Sequence, residues 1–191
     1  MYYICRELLK IKLMKKIIIA LLLPLCTFAQ EQYGFSEVFK VPGKNADEIY
    51  VMMKSWVAES YRSANHVVQM DDRSSAKIIL RPKIKYAPTA INQACYTGWI
   101  SYTVSIEARD ERFKVDVYQF VHEANNQNVS SCTFGLITTS DTYKDSGIGK
   151  GTYNRHYRKC KEFLGDHFSD YYNQIEEYIQ RADFTDKNDD W

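Results

Sequence analysis

Residues 35–61, FSEVFKVPGKNADEIYVMMKSWVAESY, predict a strand, a tight turn and a helix in immediate succession. Phe35, Phe39 and Val41 fall on one side of a period-two alternation, which is typical of a half-buried strand. Pro42-Gly43 ends this strand, because proline has no amide to donate and glycine adopts turn conformations that other residues avoid. The stretch therefore predicts a strand that a short turn connects directly to a helix.

The predicted helix has a defined start and one apolar face. Asn45 followed three residues later by Glu48 is the capping-box pattern, in which each residue binds an amide of the first turn. Asp47 also lies near the positive end of the helix dipole. Apolar residues then recur at helical spacing: Ala46, Ile49, Tyr50, Met53, Trp56, Val57 and Tyr61. This face has to be buried against an apolar surface.

Residues 1–29 are predicted to be a signal peptide, with Met14 as the true start. Met14-Lys15-Lys16 is positively charged, Ile17–Leu25 is apolar, and Thr27-Phe28-Ala29 has small residues at the positions that a signal peptidase requires. The apolar run is too short to be a stable membrane span. We therefore expect an exported chain that begins at Gln30.

Two alternatives for the N-terminus stay open. The apolar run could remain as an N-terminal membrane anchor, or Cys26 could carry a lipid, although Leu25 before it is larger than the residue usual at that position. After the signal peptide, residues 30–181 are expected to form a single α+β domain, and residues 182–191 a flexible acidic tail.

The charge of the mature chain argues against a nucleic-acid partner. The whole sequence has a net charge of +1. Removal of residues 1–29 takes away five basic residues and one acidic residue, which leaves 20 basic and 23 acidic residues and a net charge of −3. Nucleic-acid-binding domains usually carry a strongly basic stripe, and no such stripe is visible here.

Alternating patterns predict further strands, and helical spacing predicts a second long helix. The strands are expected at 66–70, 77–83, 99–108 and 113–122, with a less regular one at 129–138. The charged residues 109–112 join two of them into an antiparallel hairpin, whereas 84–98 and 140–151 are expected to be loops. From Tyr153 an apolar stripe recurs at three and four residues: Tyr157, Cys160, Leu164, Phe168, Tyr171, Ile175 and Tyr178.

This order of elements, β-α-β-β-β-β-α, predicts an α+β fold with a mostly antiparallel, curved sheet. Short turns between neighbouring strands favour antiparallel pairing. Each helix has one apolar face, so both helices are expected to cover the same side of the sheet and to leave the other side to water.

The candidate binding residues are Trp99, Tyr118, Phe120 and His122. In strand 113–122, alternation predicts that Tyr118, Phe120 and His122 point to the uncovered side of the sheet, and Trp99 is expected beside them on the neighbouring strand. Exposed aromatic residues on a sheet often mark a contact surface. The alternative is that residues 129–138 or the C-terminal tail fold over them.

The mature chain has three cysteines, and export places them in an oxidising compartment. We expect a disulfide between Cys95 and Cys132, which both lie in loop-like stretches beside the central strands, although sequence alone does not determine pairing. Cys160 lies on the apolar stripe of the second long helix, where a cysteine is usually a small buried apolar residue.

Patterns for a metal or a cofactor are absent from the sequence. The sequence contains neither an HExxH nor a CxxC pattern, and its four histidines predict no metal site. No cofactor is predicted either. The glycine-rich run at 147–152 lacks the glycine that a phosphate-binding loop needs five residues before its Gly-Lys pair. A Cys-dependent hydrolase, with Cys95 or Cys132 beside His122, remains the alternative to a non-catalytic protein.

Three motifs resemble one family of exported bacterial proteins. They are Pro42-Gly43-Lys44, the helix end Trp56-Val57-Ala58-Glu59-Ser60-Tyr61 and the hairpin turn Asp110-Glu111-Arg112. Over roughly residues 35–122 the chain looks like the domain of unknown function DUF4468, which is described as having a TBP-like fold. One departure is Glu111, at a turn position where glycine is expected. The resemblance implies the strand and helix order given above and implies no activity.

Taken together, these observations predict an exported, non-catalytic binding module. We expect it in the periplasm or at the cell surface of a Gram-negative bacterium, where the open face of its sheet would bind a protein, a peptide or a glycan. Neither nucleic acid nor a membrane span is expected once the signal peptide is removed.

Overall fold

A computed structural model of the chain describes residues 32–89, 91–125, 132–141 and 149–188. The predicted signal peptide, residues 1–29, with Met14 and Cys26, lies outside the described residues. The helices and strands are, in chain order, β1 (Phe35–Lys40), α1 (Ala46–Ser60), α2 (Ala64–Val67), β2 (Val68–Asp72), β3 (Lys77–Leu80), β4 (Lys83–Tyr86), a 3₁₀ helix (Ile91–Tyr96), β5 (Gly98–Arg109), β6 (Arg112–Ala124), β7 (Gly135–Leu136) and α3 (Lys150–Asn188).

All strands in the described residues belong to one seven-stranded sheet. Its order is β1-β6-β5-β3-β2, with β4 also pairing with β5 and β7 also pairing with β6. Every one of these pairs is antiparallel. The predicted α+β class and antiparallel sheet are therefore confirmed.

Several boundaries differ from the prediction. Residues 84–98 are not a plain loop, because they contain most of β4 and the 3₁₀ helix, and β4 adds a strand that the sequence did not indicate. Residues 64–67 form the short helix α2, so β2 starts later than expected and extends to Asp72. The helix α3 continues to Asn188, so most of the segment predicted as a tail is helical, and residues 189–191 lie outside the described residues.

The turn before α1 and the hairpin turn between β5 and β6 hold each other in place. The Asn45 side chain accepts from the Glu48 amide, and the Glu48 carboxylate accepts from the Asn45 amide, as the capping box predicts. Asp110 of the hairpin turn accepts a further hydrogen bond, 2.9 Å long, from the amide of Ala46. The Val41 amide donates to the Glu111 carbonyl, and the Glu111 amide donates to the Lys44 carbonyl. Two motifs far apart in the sequence thus form one hydrogen-bonded corner.

Aromatic rings connect both long helices to the same face of the sheet. On α3, Phe168 contacts Tyr102 of β5 and Phe120 of β6, with ring centroids 5.0 and 5.3 Å apart. On α1, Trp56 packs against Tyr171 of α3 at 5.3 Å. Tyr61, which ends α1, hydrogen-bonds to Tyr171. Because α1 and α3 contact each other and α3 covers the inward side chains of β5 and β6, the core lies between this helical layer and one face of the sheet.

Glu111 adopts a φ of 63°, a left-handed conformation that glycine adopts without strain and other residues do not. Replacing Glu111 with glycine should therefore raise the free energy of unfolding by about 0.5–1 kcal/mol, since the backbone hydrogen bonds of this residue stay intact. Urea denaturation followed by circular dichroism measures this change. As a control, Glu123→Gly at an exposed β6 position with no positive φ should lower stability by a similar amount. If both variants lost the same free energy of unfolding, the backbone at Glu111 would not be strained.

Candidate functional site

The face of the sheet that is turned away from α1 and α3, called the outward face below, is the candidate site. Alternate side chains of each strand point to it. The strand registers align these side chains in rows across β1, β6, β5 and β3, so that, for example, Val38, Lys114, Glu107 and Lys77 form one row. These rows follow one another from the hairpin turn at one end of the outward face to Trp99 at the other.

A β-bulge in β6 changes which side chains reach the outward face. Thr103 is opposite Tyr118, but Ser101 is opposite Val121, so β6 contains one residue more than β5 between these two pairs. Gln119, at the bulge, has a φ of 57° and accepts a hydrogen bond from the Thr103 hydroxyl. Beyond Gln119 the alternation of β6 is inverted.

Because of this inversion, the prediction that Phe120 and His122 point outward is wrong. Both side chains lie on the helical side and are 0% exposed. Phe120 sits in the core, with its ring centroid 5.8 Å from that of Phe35 and 5.8 Å from that of Tyr102. Val121, which the alternation assigned to the core, is the residue that faces outward. Two of the four predicted binding residues thus belong to the core and cannot touch a partner.

His122 has a structural role near the disulfide. Its Nδ1 accepts from the Phe134 amide at 3.1 Å, and its Nε2 donates to the Tyr96 carbonyl at 2.9 Å, which corresponds to a neutral ring. The Tyr96 and Phe134 rings stack with centroids 5.0 Å apart. Burial lowers the pKa of His122 below its ordinary value. The imidazole therefore joins the 3₁₀ helix to the segment that leads into β7.

The structure contains the predicted disulfide between Cys95 and Cys132, whose Cα atoms are 5.7 Å apart. It crosslinks the same two segments that His122 joins by hydrogen bonds. Cys160 is a buried free cysteine on α3, as its position on the apolar stripe predicted. The disulfide, Tyr96, Phe134 and His122 therefore stabilise one end of the core.

The other two predicted residues, Trp99 and Tyr118, do lie on the outward face. Trp99 is 47% exposed, and Tyr118 is half-buried. Val121 lies in the row next to Trp99, and Leu136 of β7 is directly opposite Val121 and is 41% exposed. Trp99, Val121 and Leu136 form what we call the apolar patch. Leu136 was missed because β7 is only two residues long, and Val121 because the bulge is not visible in the alternation.

Charged side chains occupy the opposite end of the outward face, next to the hairpin turn. Lys40, Arg112 and Arg109 are directly opposite one another on β1, β6 and β5, and we call them the basic row. Arg109 forms an ion pair with Glu107 at 2.9 Å and lowers the pKa of that carboxyl group. In the next rows, Lys114 forms an ion pair with Asp116 at 2.8 Å. Sequence reasoning did not identify this end, because the three basic residues come from separate strands.

Two depressions lie on this part of the outward face. One has a volume of about 330 Å³ and is bounded by Val38, Arg112 and Lys114 among others. The other, of about 500 Å³, is shallower and has Ser105, Asp116 and Tyr118 in its lining. Glu107 and Asp116 border both depressions, so the two are neighbours and provide a concave surface beside β1.

These observations define a class of protein, an α+β domain with a seven-stranded antiparallel sheet whose two long helices cover one face. Among the described residues, no three His, Cys, Asp or Glu side chains are grouped so that they could hold a metal ion. Residues 35–123 match the family model described as "Domain of unknown function (DUF4468) with TBP-like fold". The resemblance deduced from the turn and helix motifs is confirmed, with almost the same boundaries.

One solved structure supports the same fold. A TBP-like protein from Parabacteroides distasonis ATCC 8503 is 14% identical, with a TM-score of 0.53, and the match covers 78% of this chain and 93% of that chain. A DUF4468 family protein from Bacteroides ovatus ATCC 8483 is 16% identical, with a TM-score of 0.44 and coverages of 78% and 86%. No curated protein matches the chain. At such identities the first likeness concerns the fold alone, which is TBP-like as predicted.

The buried, neutral His122 predicts that the protein loses stability in acid. The unfolded chain takes up a proton as the pH falls below about 6.5, whereas protonation of the folded state would disrupt the hydrogen bond from the Phe134 amide. Because the folded-state pKa is lowered, the stabilisation is fully present above that pH and decreases below it, by up to about 1.4 kcal/mol per pH unit.

This prediction can be tested by urea denaturation at pH 7.0 and pH 5.5 of the wild type and His122→Gln. We expect the stability difference between the two pH values to be smaller in His122→Gln than in the wild type, because the variant lacks the imidazole whose pKa is lowered in the folded state. His156 and His167, whose pKa values are also lowered by burial, are present in both proteins and cancel in the comparison. An identical loss of stability in the two proteins would show that His122 does not contribute.

Proposed function

We propose that this protein is an exported, non-catalytic binding module whose outward face binds a protein, a peptide or a glycan. It would act in the periplasm or at the surface of a Gram-negative bacterium. Export is supported by the signal-peptide pattern at Met14–Ala29 and is compatible with the Cys95–Cys132 disulfide. None of the helices in the described ranges is long and apolar enough to span a bilayer.

The proposal is based mainly on the apolar patch. Trp99 and Leu136 are large apolar side chains, 47% and 41% exposed, on either side of the half-buried Val121. They lie on the face that both long helices leave open. Single exposed apolar residues are common, but a group of them that includes a tryptophan is typical of contact surfaces, because burying it against a partner removes apolar area from water.

The structure gives little support to the alternative, a Cys-dependent hydrolase. Such an enzyme needs a thiolate within hydrogen-bonding distance of a base. The sulfur atoms of Cys95 and Cys132 are bonded to each other, and both nitrogens of the proposed base, His122, are engaged by backbone groups. Cys160 is buried, and this burial raises the pKa of its thiol to about 12. None of these three cysteines is therefore a reactive thiolate at neutral pH.

The proposal predicts that the apolar patch is required for partner capture. The immobilised mature protein, residues 30–191, is incubated with the periplasmic fraction of its source bacterium, and bound proteins and glycans are quantified by mass spectrometry. In Trp99→Ala/Leu136→Ala, capture of the specific partner should fall at least about tenfold, equivalent to about 1.4 kcal/mol or more of binding free energy.

Val51→Ala is the matched control for this experiment. Val51 is 46% exposed, but it lies on α1 and not on the sheet. Its truncation removes a similar exposed apolar side chain and should leave capture unchanged. If the double variant is folded by circular dichroism and captures as much partner as the wild type, or if the wild type captures nothing specific, the proposed function is wrong.

A further inference from the structure

Within the part of the chain that the structure describes, the strand β1 has an open edge along the side that does not pair with β6. It is the terminal strand in the sheet order β1-β6-β5-β3-β2. The amide of Val41 donates to the Glu111 carbonyl, on the β6 side. In an antiparallel pair the backbone groups of successive residues point alternately toward and away from the partner strand. The amides and carbonyls of Ser36, Val38 and Lys40 therefore point away from β6, toward the open edge.

The side chains at this edge also favour the addition of a strand. Ser36, Val38 and Lys40 are opposite Asp116, Lys114 and Arg112, so their side chains lie on the outward face. Val38 is 50% exposed and borders the depression of about 330 Å³. An unprotected edge next to an exposed aliphatic residue is a template for another strand.

Charge indicates which strand would fit. The basic row aligns Lys40, Arg112 and Arg109 on neighbouring strands, and like charges directly opposite one another destabilise a sheet. Arg109 is compensated by Glu107, whereas Lys40 and Arg112 form no ion pair within the described residues. An acidic side chain placed opposite Lys40 would extend this row with the opposite charge and remove part of the repulsion.

We propose that β1 accepts an extended segment of another protein as an additional antiparallel strand. This segment carries an acidic residue opposite Lys40 and, two residues later, an aliphatic residue opposite Val38. The inference rests on the proposed function and specifies it, because it names an acidic, extended peptide as the partner and a position beside the two depressions as its site.

Other arrangements fit the observations less well. The opposite edge strand, β2, has a register irregularity between Val68 and Met70, and its Asp71 is already held by an ion pair with Lys54. A second copy of the chain could pair β1 with β1 around Val38, but this would place Ser36 opposite Lys40 and leave the basic row without an acidic partner.

The test uses a fluorescein-labelled peptide, Ser-Glu-Thr-Val-Thr-Ser, and the same peptide with lysine in place of glutamate. Both are titrated into the mature protein, and binding is followed by fluorescence anisotropy. The glutamate peptide should bind with saturation below about 1 mM and at least about tenfold more tightly than the lysine peptide. With Lys40→Glu this preference should be reversed. Equal binding of the two peptides, or no binding of the glutamate peptide, would overturn the proposal.

Two substitutions of Val38 separate backbone pairing from mere charge attraction. Val38→Pro removes the amide that points to the open edge and leaves the hydrogen bonds to β6 in place, so binding of the glutamate peptide should be lost. Val38→Thr keeps the amide and the shape of the side chain and should bind within about threefold of the wild type. The peptide should also slow hydrogen exchange at the amides of Val38 and Lys40. Strand addition would be overturned if a folded Val38→Pro variant bound the glutamate peptide as tightly as the wild type does. It would also be overturned if the peptide did not slow hydrogen exchange at these two amides.

Failure of this inference can be distinguished from failure of the proposed function. Sedimentation of the wild type and Val38→Pro shows whether β1 pairs with a second copy, and a dimer that the proline abolishes would overturn the peptide proposal. If the peptide does not bind but capture still depends on Trp99 and Leu136, the proposed function stands and only the strand-addition site is wrong. If the peptide does not bind and capture does not depend on Trp99 and Leu136, the strand-addition site and the proposed function are both wrong.

Discussion

The register shift at Gln119 is the constraint on which the rest of the structure depends. One additional residue in β6, held by the Thr103 hydroxyl, turns Phe120 toward the helices and Val121 toward the outward face. The ring of Phe120 then contacts Phe168 of α3 and Tyr102 of β5. Without the shift, a phenylalanine and a histidine would be exposed on the open face, and α3 would lose its central contact.

The same shift places His122 where it can join the two segments that the disulfide crosslinks. Its two ring nitrogens bind the backbone at Tyr96 and Phe134, one residue from Cys95 and two residues from Cys132. A covalent bond and two hydrogen bonds thus fix the 3₁₀ helix next to the segment before β7. The disulfide and the two hydrogen bonds hold the segment that leads into β7. They thereby fix the position of Leu136 on the outward face.

The outward face consequently has two chemically different ends. Near Trp99 it carries the apolar patch, with Val121 and Leu136 in the row next to the tryptophan and with Lys85 and Glu123 directly opposite it. Near the hairpin turn it is charged, because Lys40, Arg112 and Arg109 align across three strands. The small side chains of Ser105 and Ser36 lie between them on β5 and β1. A partner that binds along the sheet would meet apolar contacts at one end and basic groups at the other.

The local features of this fold were predictable from the sequence, whereas the non-local ones were not. The capping box at Asn45, the apolar stripe through Phe168 and the hairpin around Asp110 follow from neighbouring residues, and the structure contains all of them. The bulge at Gln119 depends on a positive φ in a residue with no preference for it, so alternation assigned Phe120, Val121 and His122 to the wrong faces. Likewise, β4 and β7 are short strands that exist through pairing with β5 and β6, and the basic row exists only once three strands are in register.

The most direct test of this account is the measurement of cross-strand nuclear Overhauser effects in the isotope-labelled mature protein. The register shift at Gln119 predicts backbone contacts between Thr103 and Tyr118 and between Ser101 and Val121, together with contacts between the Phe120 and Phe168 rings. Contacts between Ser101 and Phe120, with a solvent-exposed Phe120 ring and no contact to Phe168, would show an uninterrupted register and would contradict it.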